Sequence, residues 1–196
     1  IRYWLTQHPK DEIINLDKVT YAANFKSTLD LEDNLNYDFV KGDICDAELV
    51  SSILNEYDID AIIHYAAQSH VDNSFNSSLQ YTRDNVFGTH TLLEECRKYG
   101  KIKKFVHVST DEVYGESMLQ SDEQQKTEES ILCPTNPYAA TKAGAELIAQ
   151  SYYHSFNIPI IITRGNNVYG PNQYPEKIIP KFRSEERRVG KECRSR

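Results

Sequence analysis

Short apolar runs alternate with longer segments of helical period along this chain, and this alternation constrains its fold more than any other feature. The apolar runs predict strands, and the segments between them predict helices. The strands are predicted at 13–16, 37–40, 61–67, 105–109 and 158–163, and the helices at 47–57, 77–99 and 138–156. Because parallel neighbours need crossover connections, this order predicts an α/β fold with a doubly wound parallel sheet. Ligands of such sheets bind at the carboxyl ends of the strands, so the residues after each run are the candidates for function.

The composition is that of a soluble globular protein with a negative net charge. Of its 196 residues, 39% are hydrophobic and 26% are charged, and the net charge is −7. An acidic chain is a poor match for nucleic acid, and no apolar run approaches the roughly 18 residues of a membrane span. The cysteines Cys45, Cys96, Cys133 and Cys193 have neither CxxC nor metal-ligand spacing, so they predict reduced thiols and no metal site. We therefore expect a soluble cytoplasmic protein with no nucleic-acid or membrane partner.

Both ends of the chain differ from those expected of a complete domain. Residues 1–9 resemble the close of a helix whose preceding strand is missing. A glycine-rich phosphate-binding turn belongs roughly 20 residues before the acid that holds an adenosine ribose, and counting back from Asp17 passes the start of the chain. Residues 183–196 are highly charged and lack both periodicity and aromatic residues. They predict a non-native or disordered tail rather than a basic nucleic-acid arm.

Two adjacent carboxylates, Asp111 and Glu112, directly follow a predicted buried strand. Taken alone, such a pair is typical of a helix start, where the dipole favours acids. Tyr138 and Lys142 stand four residues apart on a predicted helix, so they share one face. A cation beside a phenol lowers its pKa, and a tyrosine with a lowered pKa can act as a base near neutral pH. The four residues together predict acid–base chemistry.

Four motifs carry a resemblance to a known family. The sequences STDEVYG, PTNPYAATK, TRGNNVYG and YPEKIIPKF occur in this order, and the similarity covers residues 11–182. They resemble the nucleotide-sugar 4,6-dehydratases of the extended short-chain dehydrogenase/reductase family. The resemblance implies a partial NAD-binding domain of the Rossmann type over residues 1–182, without its first strand and glycine-rich turn. It also implies that a C-terminal substrate domain is absent here, that the complete protein is a homodimer, and that the fragment alone is inactive.

The resemblance implies an NAD-dependent lyase that acts on a nucleotide-linked glucose. The sugar is oxidised at C4, water is lost across C5 and C6, and hydride returns to C6, which gives a 4-keto-6-deoxy sugar. Tyr138 resembles the base at the 4-hydroxyl, Lys142 the group that orients the nicotinamide ribose, and Thr110 a hydrogen-bonding partner of the 4-oxygen. Glu112 resembles the base that removes the C5 proton, and Asp111 the acid that protonates the departing C6 hydroxyl.

Several positions after strands are implied as binding residues. A carboxylate at Asp17 can accept both ribose hydroxyls of NAD and repel the 2′-phosphate of NADP, although a turn acid is the plainer reading. The remaining cofactor positions are Lys18, Thr20, Asp43, Ile44, Tyr65, Ala66, Ala67 and Ser69, together with Tyr138 and Lys142. The substrate positions are Ser69, Thr110, Asn166, Asn167, Glu176 and Lys177. Turn chemistry is the alternative for Asp43, Ile44 and the last four of these.

Three residues depart from this pattern or are left without a role. His64 and His70 have no carboxylate at ligand spacing, so packing or hydrogen bonding is predicted for both. The family often has threonine at the position of Asp84, so Asp84 is not predicted to be a cofactor ligand.

Two other functions remain open at this point. A sugar epimerase of the same fold usually carries small or hydroxyl residues in place of Asp111 and Glu112. A non-catalytic binding module would keep the fold without needing Tyr138, Lys142 or the two acids, because fold alone does not imply chemistry. The presence of all four residues favours the dehydratase. The nucleotide base, thymine or uracil, is left undecided by the sequence.

Overall fold

The computed structural model describes residues 1–116, 125–175, 177 and 179–182. In chain order, the helices are α1 Arg2–Gln7, α2 Ala47–Glu56, α3 Val71–Asn76, α4 Ser78–Tyr81, α5 Gly88–Tyr99 and α6 Pro137–Phe156. The strands are β1 Ile13–Asp17, β2 Tyr37–Lys41, β3 Ala61–His64, β4 Lys104–Thr110 and β5 Ile160–Gly165. Short 3₁₀ turns occur at Phe25–Ser27, Leu29–Leu31 and Asp111–Tyr114. The predicted tail at 183–196 lies outside the described residues.

The chain divides into two compact units. Among the described residues, the first comprises 1–15, 19–40, 167–175, 177 and 179–182, and the second comprises 16–18, 41–116 and 125–166. In the first unit, Leu5 of α1 and Leu31 are buried. Asn15 of β1 donates a 3.0 Å hydrogen bond to the Tyr37 hydroxyl of β2, and these two strands form a two-stranded sheet.

A three-stranded parallel sheet in the order β3-β4-β5 forms the centre of the second unit. Ile62 of β3 is in register with Phe105 of β4, and Phe105 is in register with Ile160 of β5. One face of this sheet packs against α2, α5 and α6, and its core contains Val50, Leu54, Leu92, Leu93, Cys96, Phe105, Ala149, Tyr152 and Ile158. Side chains alternate across a strand, so Ile63 and Ile161 lie on the opposite face, where both are exposed. The predicted α/β class with a parallel sheet is confirmed.

Most predicted elements agree with the structure to within about two residues at each end, and two depart further. The third strand ends at His64 rather than at residue 67, and beyond it the backbone of Gln68 pairs with the Asn85 side chain. The segment predicted as one helix at 77–99 contains a π-helical stretch, Thr82–Phe87, between α4 and α5. Such stretches occur frequently at functional sites.

None of the helices among the described residues is both long enough and apolar enough to cross a membrane.

Candidate functional site

The two predicted carboxylates lie on a tight turn at the carboxyl end of β4. Thr110 is the last residue of that strand, and its hydroxyl accepts a 3.3 Å hydrogen bond from the amide of Glu112. The same hydroxyl donates to Asp111 at 3.2 Å. Both acids are half-buried, and the next residue, Val113, is completely buried. Burial of Val113 anchors the turn, so the three polar side chains before it are held at the end of the sheet.

A glycine closes this turn because the backbone there excludes a side chain. Gly115 has a φ of 86°, and a Cβ at this position would lie 2.4 Å from the carbonyl oxygen of Cys133. The backbone amide of Cys133 donates to the carbonyl of Val113 at 2.9 Å. The segment at Cys133 therefore lies directly against the turn and continues towards the start of α6.

Asn136 connects this turn to the helix that carries Tyr138. Its Oδ1 accepts a 2.8 Å hydrogen bond from the amide of Ala139 and so caps α6. Its Nδ2 donates to Glu112 Oε2 at 3.2 Å. Our sequence interpretation gave Asn136 no role, although an asparagine before Pro137 is a typical signal for a helix start. The side chain fixes where α6 begins relative to Glu112.

Tyr138 is buried beside the two acids, and its exposed fraction is 8%. Burial, together with the charges of Glu112 and Asp111, raises the pKa of its phenol to about 12, while a hydrogen bond with Thr110 acts in the opposite direction. The structure thus places Thr110, Asp111, Glu112 and Tyr138 close together. The expected lowering of the tyrosine pKa is not met, because burial and the neighbouring negative charges outweigh the opposing contact.

Lys142 lies one turn after Tyr138 on α6 and is also buried. Its ammonium donates a 2.7 Å hydrogen bond to the carbonyl oxygen of Val108 on β4. Burial lowers the pKa of Lys142 to about 8, and the charge of Glu146 acts in the opposite direction. The lysine therefore ties α6 to the sheet just before Thr110, with two further donor hydrogens on its ammonium.

A buried ion pair supports the turn from the other side. Arg164, near the end of β5, lies 2.8 Å from Glu146 of α6, whose side chain is completely buried. The same guanidinium donates to the Tyr114 hydroxyl at 2.7 Å and to the carbonyl of Glu128 at 2.9 Å. This network links β5, α6 and the turn after β4. No sequence pattern indicated this network, because its four members are far apart along the chain.

A second group of predicted residues lies at the ends of β1 and β2. Asp17 is exposed and ends β1. The ammonium of the next residue, Lys18, lies 2.8 Å from Asp43 and 3.2 Å from Asp84. Ile44 packs close to Gly88 of α5, where an added Cβ would lie 2.7 Å from Ile44 Cδ1. The structure therefore brings Lys18 and Asp43 together and adds Asp84 to them.

The residues after β3 form an exposed segment held by the π-helical stretch. The predicted residues Tyr65, Ala66, Ala67 and Ser69 are all exposed. Asn85 is 1% exposed and donates to Gln68 O at 3.0 Å and to the Thr141 hydroxyl at 2.9 Å. It thereby connects the end of β3 to α6 beside Lys142. No role was predicted for Asn85 from the sequence.

The remaining predicted residues are more scattered. Asn166 and Asn167 follow β5 and are exposed, and Asn167 and Lys177 belong to the first compact unit. Glu176 lies outside the described residues. The predicted structural roles of the two histidines are confirmed, since His64 is buried and pairs with the Thr89 hydroxyl at 2.9 Å, while His70 caps α3.

Comparison with known proteins identifies the family. The sequence model of the GDP-mannose 4,6 dehydratase family matches residues 1–192. A trifunctional UDP-glucose 4,6-dehydratase, UDP-4-keto-6-deoxy-D-glucose 3,5-epimerase and UDP-4-keto-L-rhamnose-reductase of Arabidopsis thaliana is 53% identical over 178 residues, which are 89% of this chain and 26% of that protein. A dTDP-D-glucose 4,6-dehydratase of Dictyostelium discoideum is 51% identical over 187 residues, which are 92% of this chain and 43% of that protein.

Solved structures agree with these relatives. The crystal structure of dTDP-glucose 4,6-dehydratase from Bacillus anthracis in complex with NAD superposes with a TM-score of 0.85 at 40% identity, over 96% of this chain and 56% of that chain. The fold is therefore the Rossmann type expected from the motifs. This chain spans between a quarter and somewhat more than half of the proteins that it matches. The resemblance inferred from the motifs is confirmed, and the chain belongs to the GDP-mannose 4,6 dehydratase family.

Proposed function

We propose that the full-length protein removes water from a nucleotide-linked glucose, dTDP-glucose or UDP-glucose, to give the 4-keto-6-deoxy sugar. The observation that carries this proposal is the contact between the acid turn and the tyrosine: the charges of Glu112 and Asp111 act on the phenol of Tyr138, which is hydrogen-bonded to Thr110. An acid and a base beside the same tyrosine are what a dehydration needs, because one group must take a proton and another must give one. An epimerase needs only the tyrosine.

The roles of the residues follow from their chemistry. Tyr138 takes the proton of the sugar 4-hydroxyl, and Thr110 hydrogen-bonds the same oxygen. A ketone at C4 would result only with NAD as the acceptor of the C4 hydride, and this ketone would acidify the proton at C5. Glu112 removes that proton, and its orientation is held by Asn136 at 3.2 Å. Asp111 gives a proton to the hydroxyl that leaves C6, so that water is released.

The residues of this chain fit NAD as the cofactor. NAD, when bound, supplies the reversible hydride acceptor that an oxidation at C4 and a reduction at C6 require. The exposed carboxylate of Asp17 at the end of β1 suits the two hydroxyls of a ribose. The buried ammonium of Lys142 uses one donor on Val108 and has two more for a second ribose. The small exposed residues Ala66 and Ala67 allow close approach after β3.

Further positions belong to the same proposal. We assign Lys18, Thr20, Asp43, Ile44, Tyr65 and Ser69 to the cofactor site, and Ser69, Asn166, Asn167, Glu176 and Lys177 to the sugar nucleotide. The matched relatives include both UDP-glucose and dTDP-D-glucose 4,6-dehydratases, so both nucleotide sugars are candidate substrates. Which nucleotide is used follows from the experiment below.

We also propose that the full-length protein is a cytoplasmic homodimer. Apolar side chains are exposed on the outer surfaces of α6 and of the π-helical stretch before α5, namely Phe87, Leu147, Tyr153 and Phe156, with exposed fractions from 48% to 57%. Large apolar side chains grouped on helices support an interface with a second copy. Sedimentation of the full-length protein measures its oligomeric state.

The test of the function is product analysis with each nucleotide sugar. The full-length protein is incubated with NAD and either dTDP-glucose or UDP-glucose, and the products are analysed by mass and by NMR of the sugar ring. We expect a product lighter than the substrate by one water molecule, formed faster from one of the two nucleotides. An isomer of unchanged mass that is inverted at C4 would identify an epimerase instead. If neither product forms, the protein is a binding module.

A further inference from the structure

Lys18 is a cation at a position where a phosphate could bind, and in the structure its ammonium is paired with two carboxylates. It directly follows Asp17 at the carboxyl end of β1. Its ammonium lies 2.8 Å from Asp43 Oδ2 and 3.2 Å from Asp84 Oδ1. Ligand atoms of Asp43, Cys45 and Asp84 all lie within 4.8 Å of one another, a spacing suited to a cation. The lysine itself supplies that cation.

Asp84 is fixed independently of the lysine. Gln68 donates to Asp84 Oδ2 at 2.7 Å, and Gln80 donates to Oδ1 at 2.8 Å. The residue is 8% exposed, on the π-helical stretch before α5. Burial raises the pKa of Asp84, but the hydrogen bonds from Gln68, Gln80 and Lys18 outweigh burial and hold the pKa below its usual value. A charged carboxylate is therefore held in place by two amides and is available to the ammonium.

The electrostatic consequence concerns the adenosine ribose of the cofactor. NADP differs from NAD by a phosphate on the 2′-oxygen, and proteins that accept it place a cationic side chain nearby. A lysine next to Asp17 is such a side chain. Here its single positive charge faces the two negative charges of Asp43 and Asp84, so the group as a whole is anionic and repels a phosphate.

We propose that Asp84 is a cofactor-specificity residue, which withdraws the ammonium of Lys18 from the 2′-position and thereby favours NAD over NADP. This inference rests on the proposed function, since it assumes a dinucleotide at the end of β1. It assigns to Asp84 a part of the discrimination between NAD and NADP, which would otherwise depend on Asp17 alone.

The test compares the dissociation constants of NAD and NADP measured by calorimetry with the full-length protein, without sugar substrate. Asp84→Asn removes the charge and keeps one acceptor oxygen, which can accept from either Gln68 or Gln80. We expect the preference for NAD over NADP to fall by roughly tenfold, the scale of one charge-assisted hydrogen bond. Asp84→Glu restores the charge and should recover most of the preference.

A double variant tests whether the ammonium of Lys18 is the group that binds the 2′-phosphate. In Asp84→Asn/Lys18→Gln, the gain in NADP affinity should disappear, because no ammonium is left to bind the 2′-phosphate. Asp60→Asn is the matched control, since Asp60 is an exposed carboxylate that pairs with Lys103 at 3.1 Å. We expect the ratio of the two dissociation constants to stay at its wild-type value in this control. Asp84→Thr serves as a second neutral variant if Asp84→Asn does not fold.

The outcomes separate this inference from the function on which it rests. If the wild-type protein binds NAD and the ratio is unchanged in both neutral variants at Asp84, the role of Asp84 is wrong while the proposed cofactor stands. If the ratio of the NAD and NADP dissociation constants changes equally in Asp84→Asn and in Asp84→Asn/Lys18→Gln, the ammonium of Lys18 does not bind the 2′-phosphate. The inference is then also overturned. If the wild-type protein binds neither dinucleotide, both the proposed function and this inference fail.

Discussion

Asn136 joins Glu112 to the start of α6, because its Nδ2 donates to Glu112 Oε2 at 3.2 Å while its Oδ1 caps this helix. One side chain thus performs two separable tasks. The cap stabilises the helix, and the amide orients the carboxylate. Substitutions that preserve only one task can tell the two apart.

We expect Asn136→Ala to lower the free energy of unfolding by about 1 kcal/mol, because the cap is lost, and also to slow dehydration. Asn136→Ser keeps a capping oxygen but has no amide for Glu112. It should therefore retain stability and still lose activity. Urea denaturation measures the first effect and product formation the second. A serine variant with the wild-type rate would show that the contact with Glu112 does not matter.

Glu112→Gln should stop removal of the C5 proton while leaving oxidation at C4 possible, since Tyr138 and Lys142 are unchanged. Loss of a general base typically costs on the order of 10² to 10⁴ in rate. The charge of Glu112 also raises the pKa of Tyr138, so the variant should have a lower phenol pKa. Deuterium uptake at C5 and absorbance of the reduced nicotinamide are the measurements. Deuterium exchange at C5 at the wild-type rate would show that Glu112 is not the base that removes this proton.

Asp111→Asn provides the matched comparison on the neighbouring residue. If Asp111 is the acid, C5 deuterium exchange should continue in this variant while release of water slows by a similar factor, on the order of 10² to 10⁴. Deuterium exchange at C5 should therefore stop in Glu112→Gln and continue in Asp111→Asn. An Asp111→Asn protein that fails to exchange at C5 would indicate that the two acids act as one unit.

Sequence periodicity predicted the main elements of the second unit because its strands and helices are regular and buried on one side. Tyr138 and Lys142 could be placed on one helix face for the same reason. The π-helical stretch and the Asp84 contacts could not be predicted, since they depend on side chains that are distant along the chain, such as Gln68 and Lys18. The tyrosine pKa was misjudged because burial was not visible from the sequence.

Removing only one partner of the ion pair between Glu146 and Arg164 should lower the stability of the protein strongly. Glu146→Leu leaves a guanidinium with little solvent access and without its carboxylate, and we expect a loss of about 3–5 kcal/mol in the free energy of unfolding. Glu146→Leu/Arg164→Leu removes both charges and should lose less. Asp60→Asn, which breaks an exposed pair with Lys103, should cost less than about 1 kcal/mol. If the single and double variants lose the same free energy of unfolding, Glu146→Leu does not leave an unpaired buried charge on Arg164.

The buried His107 should make the protein sensitive to acid. Its two ring nitrogens are buried without hydrogen-bond partners in the part of the chain that the structure describes. Burial lowers its pKa to about 3, and the charge of Lys142 acts in the same direction. As pH falls below about 6.5, the unfolded chain binds a proton that the folded chain does not accept, so stability falls over the range from about 6.5 to about 3.

His107→Leu should remove this contribution and flatten the acid dependence. Between pH 7 and pH 5, one such histidine contributes a loss of about 2 kcal/mol in the free energy of unfolding. His64, whose pKa burial also lowers, continues to contribute in the variant. At pH 7 the substitution should be close to neutral or stabilising, because it removes buried polar atoms that lack partners. Urea denaturation at both pH values is compared with His154→Gln, a change at an exposed histidine. If His107→Leu loses as much stability on acidification as the His154→Gln control, His107 does not take up the proton on unfolding.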